Sequence, residues 1–333
     1  MKKPTYDVAI DAMRTVSILA VILIHTSTKI LQFGQDDLIT LPVAIFSNQI
    51  SRFAVPLFFM ISGFVLELNH KDESYAAYLS RRVKKIFVPY VVWSLIYSLW
   101  VYPQDLSNLP RLILYGGASY QLYFIPAIVV FYLIFPILHR LISFISNKWV
   151  MISLLTIQMW FLYRDYYIKP LAFEELVRIP TLAFWVFLLG MVAAKNLTKM
   201  KILVEKFRWW LTGIMILMAG YVFWEGRSGF LRTHNYFLYY SQWRPSTLIY
   251  TSAVAGSLYY WLGKLKRWSN VVSEMSKLSF FVFFVHILVL ELTIKYLGGE
   301  TMNDLTLFLT VTITSFALGA VVHRIGKLKW LTG

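Results

Sequence analysis

The sequence predicts an all-α fold, a polytopic transmembrane bundle of about ten helices with both termini in the cytoplasm. Three observations lead there. Of 333 residues, 58% are apolar and only 15% charged, and the mean hydropathy is +0.60, outside the range of a soluble domain of this length. Apolar stretches of about 17 to 25 residues, each able to cross the hydrocarbon core as a helix, recur from end to end. Lysine and arginine alternate between the two sides: with the N-terminus inside, the inward segments carry 22 and the outward ones nine, and Arg52 lies within a span.

The spans are expected at 8–31, 43–66, 86–102, 120–138, 149–166, 178–194, 209–225, 246–263, 279–297 and 305–322. The first follows Met1-Lys2-Lys3 and is too long for a signal peptide, with no small-residue cleavage site after it, so it is expected to remain in the mature protein. The second contains Arg52, Pro56 and Ser62-Gly63, the last pair a small surface for close helix approach. The third is entered through Arg81-Arg82-Val83-Lys84-Lys85 and opens with Pro89-Tyr90. Between the seventh and eighth spans lies the longest outward connection, with Arg227, Arg232, His234, Tyr236, Tyr239, Tyr240, Trp243 and Arg244. The ninth carries His286 and Glu291. Nothing between spans is long enough to fold separately, so residues 1–333 are expected to form one integral-membrane domain.

Several classes of function fall away. The chain has no cysteine, which excludes disulfides, thiolate catalysis, thiolate metal sites and palmitoylation. The net charge of +15 is accounted for by topology, by anionic membrane lipids and by one anionic cytoplasmic ligand, and requires no nucleic acid. No metal is expected, because His25 and His286 each lack a second ligand three or four residues away. No repeat is visible that would point to an inverted-repeat transporter.

The most informative residues lie in the first span. Arg14 and His25 are eleven positions apart, about 1100° of helical rotation, so they share one face and stand roughly 16 Å apart along the axis. Asp11 precedes Arg14 by three residues and can pair with it. Ionisable groups at such depth usually face a bundle interior or a wet cavity. The bland readings are a snorkelling arginine and a histidine that only bonds a neighbouring helix. Arg81, Arg82, Lys84 and Lys85 have the chemistry to hold phosphate, although such a run also marks a cytoplasmic loop. Arg52 is a second buried cation. His286 and Glu291 differ by about 140° around their helix, so one ligand is not expected to touch both unless it bends. Outside, aromatic and polar groups such as Trp243 and Arg244 can stack on or bond to sugars, although an interfacial aromatic belt looks the same.

Four stretches together resemble a known family: Ile10-Asp11-Ala-Met-Arg14 through His25, which fits an arginine, ten residues, histidine signature; Pro56 to Phe64; Arg81 to Tyr90; and Ser279 to His286. The chain is similar in them to the type 3 membrane acyltransferases, bacterial multi-span O-acyltransferases of surface glycans that include the enterobacterial common antigen O-acetyltransferase. Lys84 and Lys85 stand where many relatives have arginine, and the chain most resembles the compact members without a hydrolase-like domain.

The resemblance implies acyl transfer, with acetyl-CoA or another acyl-CoA as donor, from the cytoplasm to a hydroxyl of a glycan or glycolipid. It places the protein in the bacterial inner membrane, with glycan-assembly proteins as possible partners. His25 would carry the chemistry, as base or as an acylated relay, while Arg14 and the Arg81/Arg82 cluster would hold donor phosphates. Arg52, His286, Trp243 and Arg244 would lie on the acceptor side. Such chemistry needs a water-accessible channel from the inner cations to the imidazole. Two rival readings remain: an exporter of a lipid-linked sugar, in which the polar stripe lines a path, and a structural partner of a glycan synthase.

Overall fold

The computed structural model describes residues 8–32, 40–169, 171, 175–233, 241–265, 268–325 and 330–331. Among them all regular structure is helical. The helices are α1 (Val8–Gln32), α2 (Thr40–Ile50), α3 (Ala54–Leu68), α4 (Tyr75–Ile96), α5 (Leu109–Tyr115), α6 (Phe124–Arg140), α7 (Ile142–Ile145) and α8 (Lys148–Tyr163). They continue with α9 (Glu175–Lys195), α10 (Leu197–Lys206), α11 (Arg208–Thr233), α12 (Pro245–Leu262), α13 (Ser269–Leu297) and α14 (Asp304–Arg324). Each expected span overlaps helix, with a turn at 51–53 inside the second and the fourth becoming helical only at Phe124. Five described segments are long and apolar enough to cross a membrane by themselves: Val8–Gln32, Leu41–Leu68, Leu176–Lys195, Ser269–Leu297 and Asp304–Arg324. Large apolar side chains such as Trp210 and Leu217 point outward, as they do where the surrounding solvent is lipid.

Helix α1 occupies the centre, packed against α2, α3, α12, α13 and α14. Thr15 donates to the Asp11 carbonyl at 3.0 Å and Ser27 to that of Leu23 at 2.6 Å, so these hydroxyls stay buried without breaking the helix, while the Ser17 hydroxyl is buried without a partner. The closest crossing is α3 on α9. A Cβ added at Gly190 would lie 2.0 Å from the Met60 carbonyl oxygen, and one at Gly63 2.2 Å from that of Phe187. Only hydrogen fits at either point, so two backbones touch across a glycine pair, as small residues permit in membrane bundles.

The second span is not one continuous helix. Pro56 has no N–H to offer the Arg52 carbonyl four residues earlier, and the chain turns through 51–53 with three-residue bonds, Arg52 N–H to Gln49 O at 3.2 Å and Ala54 N–H to Ser51 O at 3.0 Å. The break puts Arg52 in a wall of the bundle interior. A second irregularity ends α4, which passes into a π-helical turn over Tyr97–Val101 closed by Tyr102 N–H to Tyr97 O at 2.8 Å. Tyr97 is thereby driven into α13. Its hydroxyl donates to the Phe284 carbonyl at 2.6 Å and accepts from the Leu288 N–H at 3.0 Å, two groups that ordinarily pair with one another.

Candidate functional site

Two cavities lie along the polar face of α1. The smaller, about 150 Å³, is reached by Arg14 and walled by Ser62, Tyr132 and Ser279. The larger, about 660 Å³, contains His25, Lys29, Arg52, Tyr102, Tyr120 and Gln242 in its lining. Phe58, Phe124 and Phe283 line both. Ring centres of Phe58 and Phe124 are 6.1 Å apart, and those of Phe124 and Phe283 5.6 Å. The polar path expected from the sequence takes the form of two adjoining chambers that share three phenylalanines.

At the smaller chamber Arg14 pairs with Asp11 at 3.2 Å, and Asp11 also accepts from Ser276 of α13 at 2.8 Å. Asp11 thus anchors the guanidinium. Arg82 leans over Tyr132, which lines the same chamber, and over Tyr78, its carbon 5.8 Å from each ring centre, and its Nε is buried without a hydrogen-bond partner. Lys85 feels both cations: its ammonium is held below the usual lysine range by desolvation and then by repulsion from Arg82 and Arg14. Arg81 turns away to pair with Glu73, and Lys84 is exposed, as is part of Lys85. Of the four basic residues in the run, the structure thus brings Arg82 and Lys85 towards Arg14.

In the larger chamber His25 lies against Tyr120, ring centres 4.9 Å apart, and against His286 at 5.3 Å. Lys29, one helical turn beyond, pairs with Glu291 at 2.8 Å, and the Tyr102 hydroxyl donates to the same carboxylate oxygen at 2.7 Å. His286 and Glu291 therefore both reach α1, at different turns. Arg52 is 3% exposed and its Nε donates to Asn48 Oδ1 at 3.1 Å. Asn48 in turn donates to the Ile24 carbonyl at 3.2 Å and to Ser27 and Thr28 at 3.1 and 3.0 Å, which ties Arg52 to the turn of α1 that carries His25.

Three residues expected on the acceptor side lie behind the wall instead. Arg244 is 0% exposed, donates to Gln49 Oε1 at 2.7 Å and pairs with Glu225 at 3.3 Å. It lines neither chamber. Trp243 is buried with its ring 6.1 Å from Phe59, and the neighbouring Gln242 lines the chamber in its place, donating to the Tyr123 hydroxyl at 2.7 Å. His286 is fully buried behind His25. The expected aromatic cluster at His234, Tyr236, Tyr239 and Tyr240 lies outside the described residues.

Sequence reasoning passed over Lys29, Tyr102, Tyr120, Gln121 and Gln242. Lys29 alone had a signal, its four-residue spacing from His25. The tyrosines and glutamines arrive from loops whose course no periodicity records. Among the described residues no group of three or more histidines and carboxylates is placed to hold a metal ion.

Comparison with known proteins identifies the chain's family. An acyltransferase domain family model matches residues 7–324. A Bacillus subtilis (strain 168) protein, YfiQ, named for a proposed membrane-bound acyltransferase activity, is 24% identical over 297 residues, covering 82% of this chain and 78% of its own. No solved structure matches the chain. With nearly its whole length matched, from the helix that bears Arg14 and His25 to the last described span, the chain belongs to the acyltransferase 3 family of multi-pass membrane proteins.

Proposed function

We propose that this protein is an O-acyltransferase of the bacterial inner membrane that moves an acetyl or similar short acyl group from cytoplasmic acyl-CoA to a hydroxyl of a lipid-linked or cell-surface glycan. The observation that carries the reading is the pair of chambers on one face of α1, a cation at the first and an imidazole in the second. Acyl-CoA is a strong anion that hydrocarbon rejects, so its phosphates stay with Arg14, Arg82 and Lys85 at the basic end. The roughly 16 Å from Arg14 to His25 is of the order of a pantetheine arm. The thioester passes the three phenylalanines while the nucleotide remains behind.

In the larger chamber His25 takes the proton of the acceptor hydroxyl as its oxygen attacks the thioester carbonyl. The carbon–sulfur bond breaks, and the proton passes to the departing thiolate, leaving an ester and free CoA. Acceptor recognition falls to tyrosine faces and to the carboxamides of Gln121 and Gln242, groups suited to stacking on and bonding to sugar rings. Membrane lipids surround the bundle, and glycan-assembly proteins would supply the acceptor.

Mass spectrometry of surface glycans from cells with and without the protein tests the reading. One acyl mass per repeating unit, present only with the protein, is expected. An unchanged mass with altered amounts of exported glycan would contradict it in favour of transport.

A further inference from the structure

His286 belongs to neither chamber, yet its ring is held beside the site. It is fully buried in α13, and its Nδ1 lies 2.9 Å from the Val282 carbonyl. A carbonyl oxygen can only accept, so Nδ1 carries the hydrogen and the neutral ring keeps Nε2 as a bare acceptor. That Nε2 is buried without a hydrogen-bond partner. The Tyr97 hydroxyl grips the backbone on both sides of the residue, at Phe284 O and Leu288 N–H.

The ring that Nε2 can meet is that of His25. Their centres are 5.3 Å apart with planes inclined by 36°. Each imidazole nitrogen lies roughly 1.1 Å from its ring centre, so an N–H···N bond of about 3 Å puts two edge-on rings about 5 Å apart. A rotation of His25 that turns a ring nitrogen towards Nε2 would complete the bond.

We propose that His286 is a positioning residue: its Nε2 accepts the ring N–H of His25, fixes the tautomer of that imidazole and leaves the other nitrogen's lone pair facing the larger chamber. Because His286 lines no cavity, it acts through His25 and not on the acceptor. The catalytic consequence rests on the proposed role of His25 as base; the tautomer does not.

The test uses full-length protein labelled with ¹⁵N-histidine in lipid nanodiscs. A coupling across the N–H···N bond and a single His25 tautomer are expected in the wild type. His286→Met, of similar bulk without a strong acceptor, should mix the tautomers and lower kcat about 10- to 100-fold, within what general-base catalysis is worth, with the KM for both substrates unchanged. His286→Gln, which can offer a carbonyl in the same place, should restore both. A wild-type His25 that samples both tautomers without the coupling would overturn the proposal, whether or not the variants fold. So would His286→Met with wild-type tautomer ratios. If the coupling is present but no acyl group is transferred, the pairing stands and the functional reading fails.

Discussion

Arg81 and Arg82 are neighbours in sequence and part company in space. One is spent on Glu73 at the surface, while the other stands over Tyr132 beside the chamber that Arg14 enters. A charge-assisted bond to phosphate contributes about 1.5–3 kcal/mol, so Arg82→Ala should raise the apparent KM for acyl-CoA about 10- to 100-fold and Arg81→Ala by less than about threefold. Steady-state kinetics on the two variants measures the contrast, and equal effects would contradict the assignment. Arg14 and His25 were legible as a pair because helical geometry alone puts them on one face. Arg244 was legible only as a polar outlier. Its occupation with Gln49 and Glu225 depends on residues almost two hundred positions away and on the helix before it, which no local pattern records.

At the scale of elements, the three phenylalanines shared by the chambers join α3, α6 and α13, and under the proposed function they would keep water from the thioester until an acceptor is seated. Phe283→Ala should open the two chambers to one another. Acyl-CoA hydrolysis without acceptor is then expected to rise several-fold while transfer falls, read as free CoA released in the absence of glycan; unchanged hydrolysis would contradict the barrier. The ends of α3 and α6 meet in a second device, His70 tilted against His139 with ring centres 3.7 Å apart, and His139 bonded to Glu67 at 2.8 Å. Burial first, and then the neighbouring His139, hold the His70 pKa below the ordinary value of about 6.5. Between that depressed value and 6.5 the unfolded chain binds more protons than the folded one, so stability rises with pH through this window and is lost on acidification. The thermal midpoint should therefore fall between pH 7 and pH 5, by on the order of 1 °C less in His70→Gln. Equal falls would contradict it. Helix positions were legible from apolar run length. The break at 51–53 could be read only in part, from Pro56, and the π turn at Tyr97 not at all, because the groups Tyr97 bonds on α13 lie almost two hundred positions away.

For the whole molecule, the all-helical membrane architecture follows from composition, since a chain this apolar can satisfy its backbone in lipid only as helices or a closed barrel, and the run lengths select helices. The interior was legible in part. The face of α1 pointed to a polar path, but the path is two chambers, and the walls of the larger one come in part from loops and from the break in the second span. That arrangement gives the interior two parts of different chemistry, cations at the smaller chamber and aromatics with carboxamides around His25 in the larger, meeting at three phenylalanines; the proposed function assigns the first to an anionic donor and the second to a sugar. The most direct measurement is single-turnover release of CoA by the purified protein in nanodiscs, given labelled acetyl-CoA and a glycan acceptor, compared with His25→Ala. The account predicts acceptor-dependent release with the label on the glycan, and a loss of at least about 100-fold in the folded variant, as removal of a general base implies. Undiminished transfer by His25→Ala would contradict it.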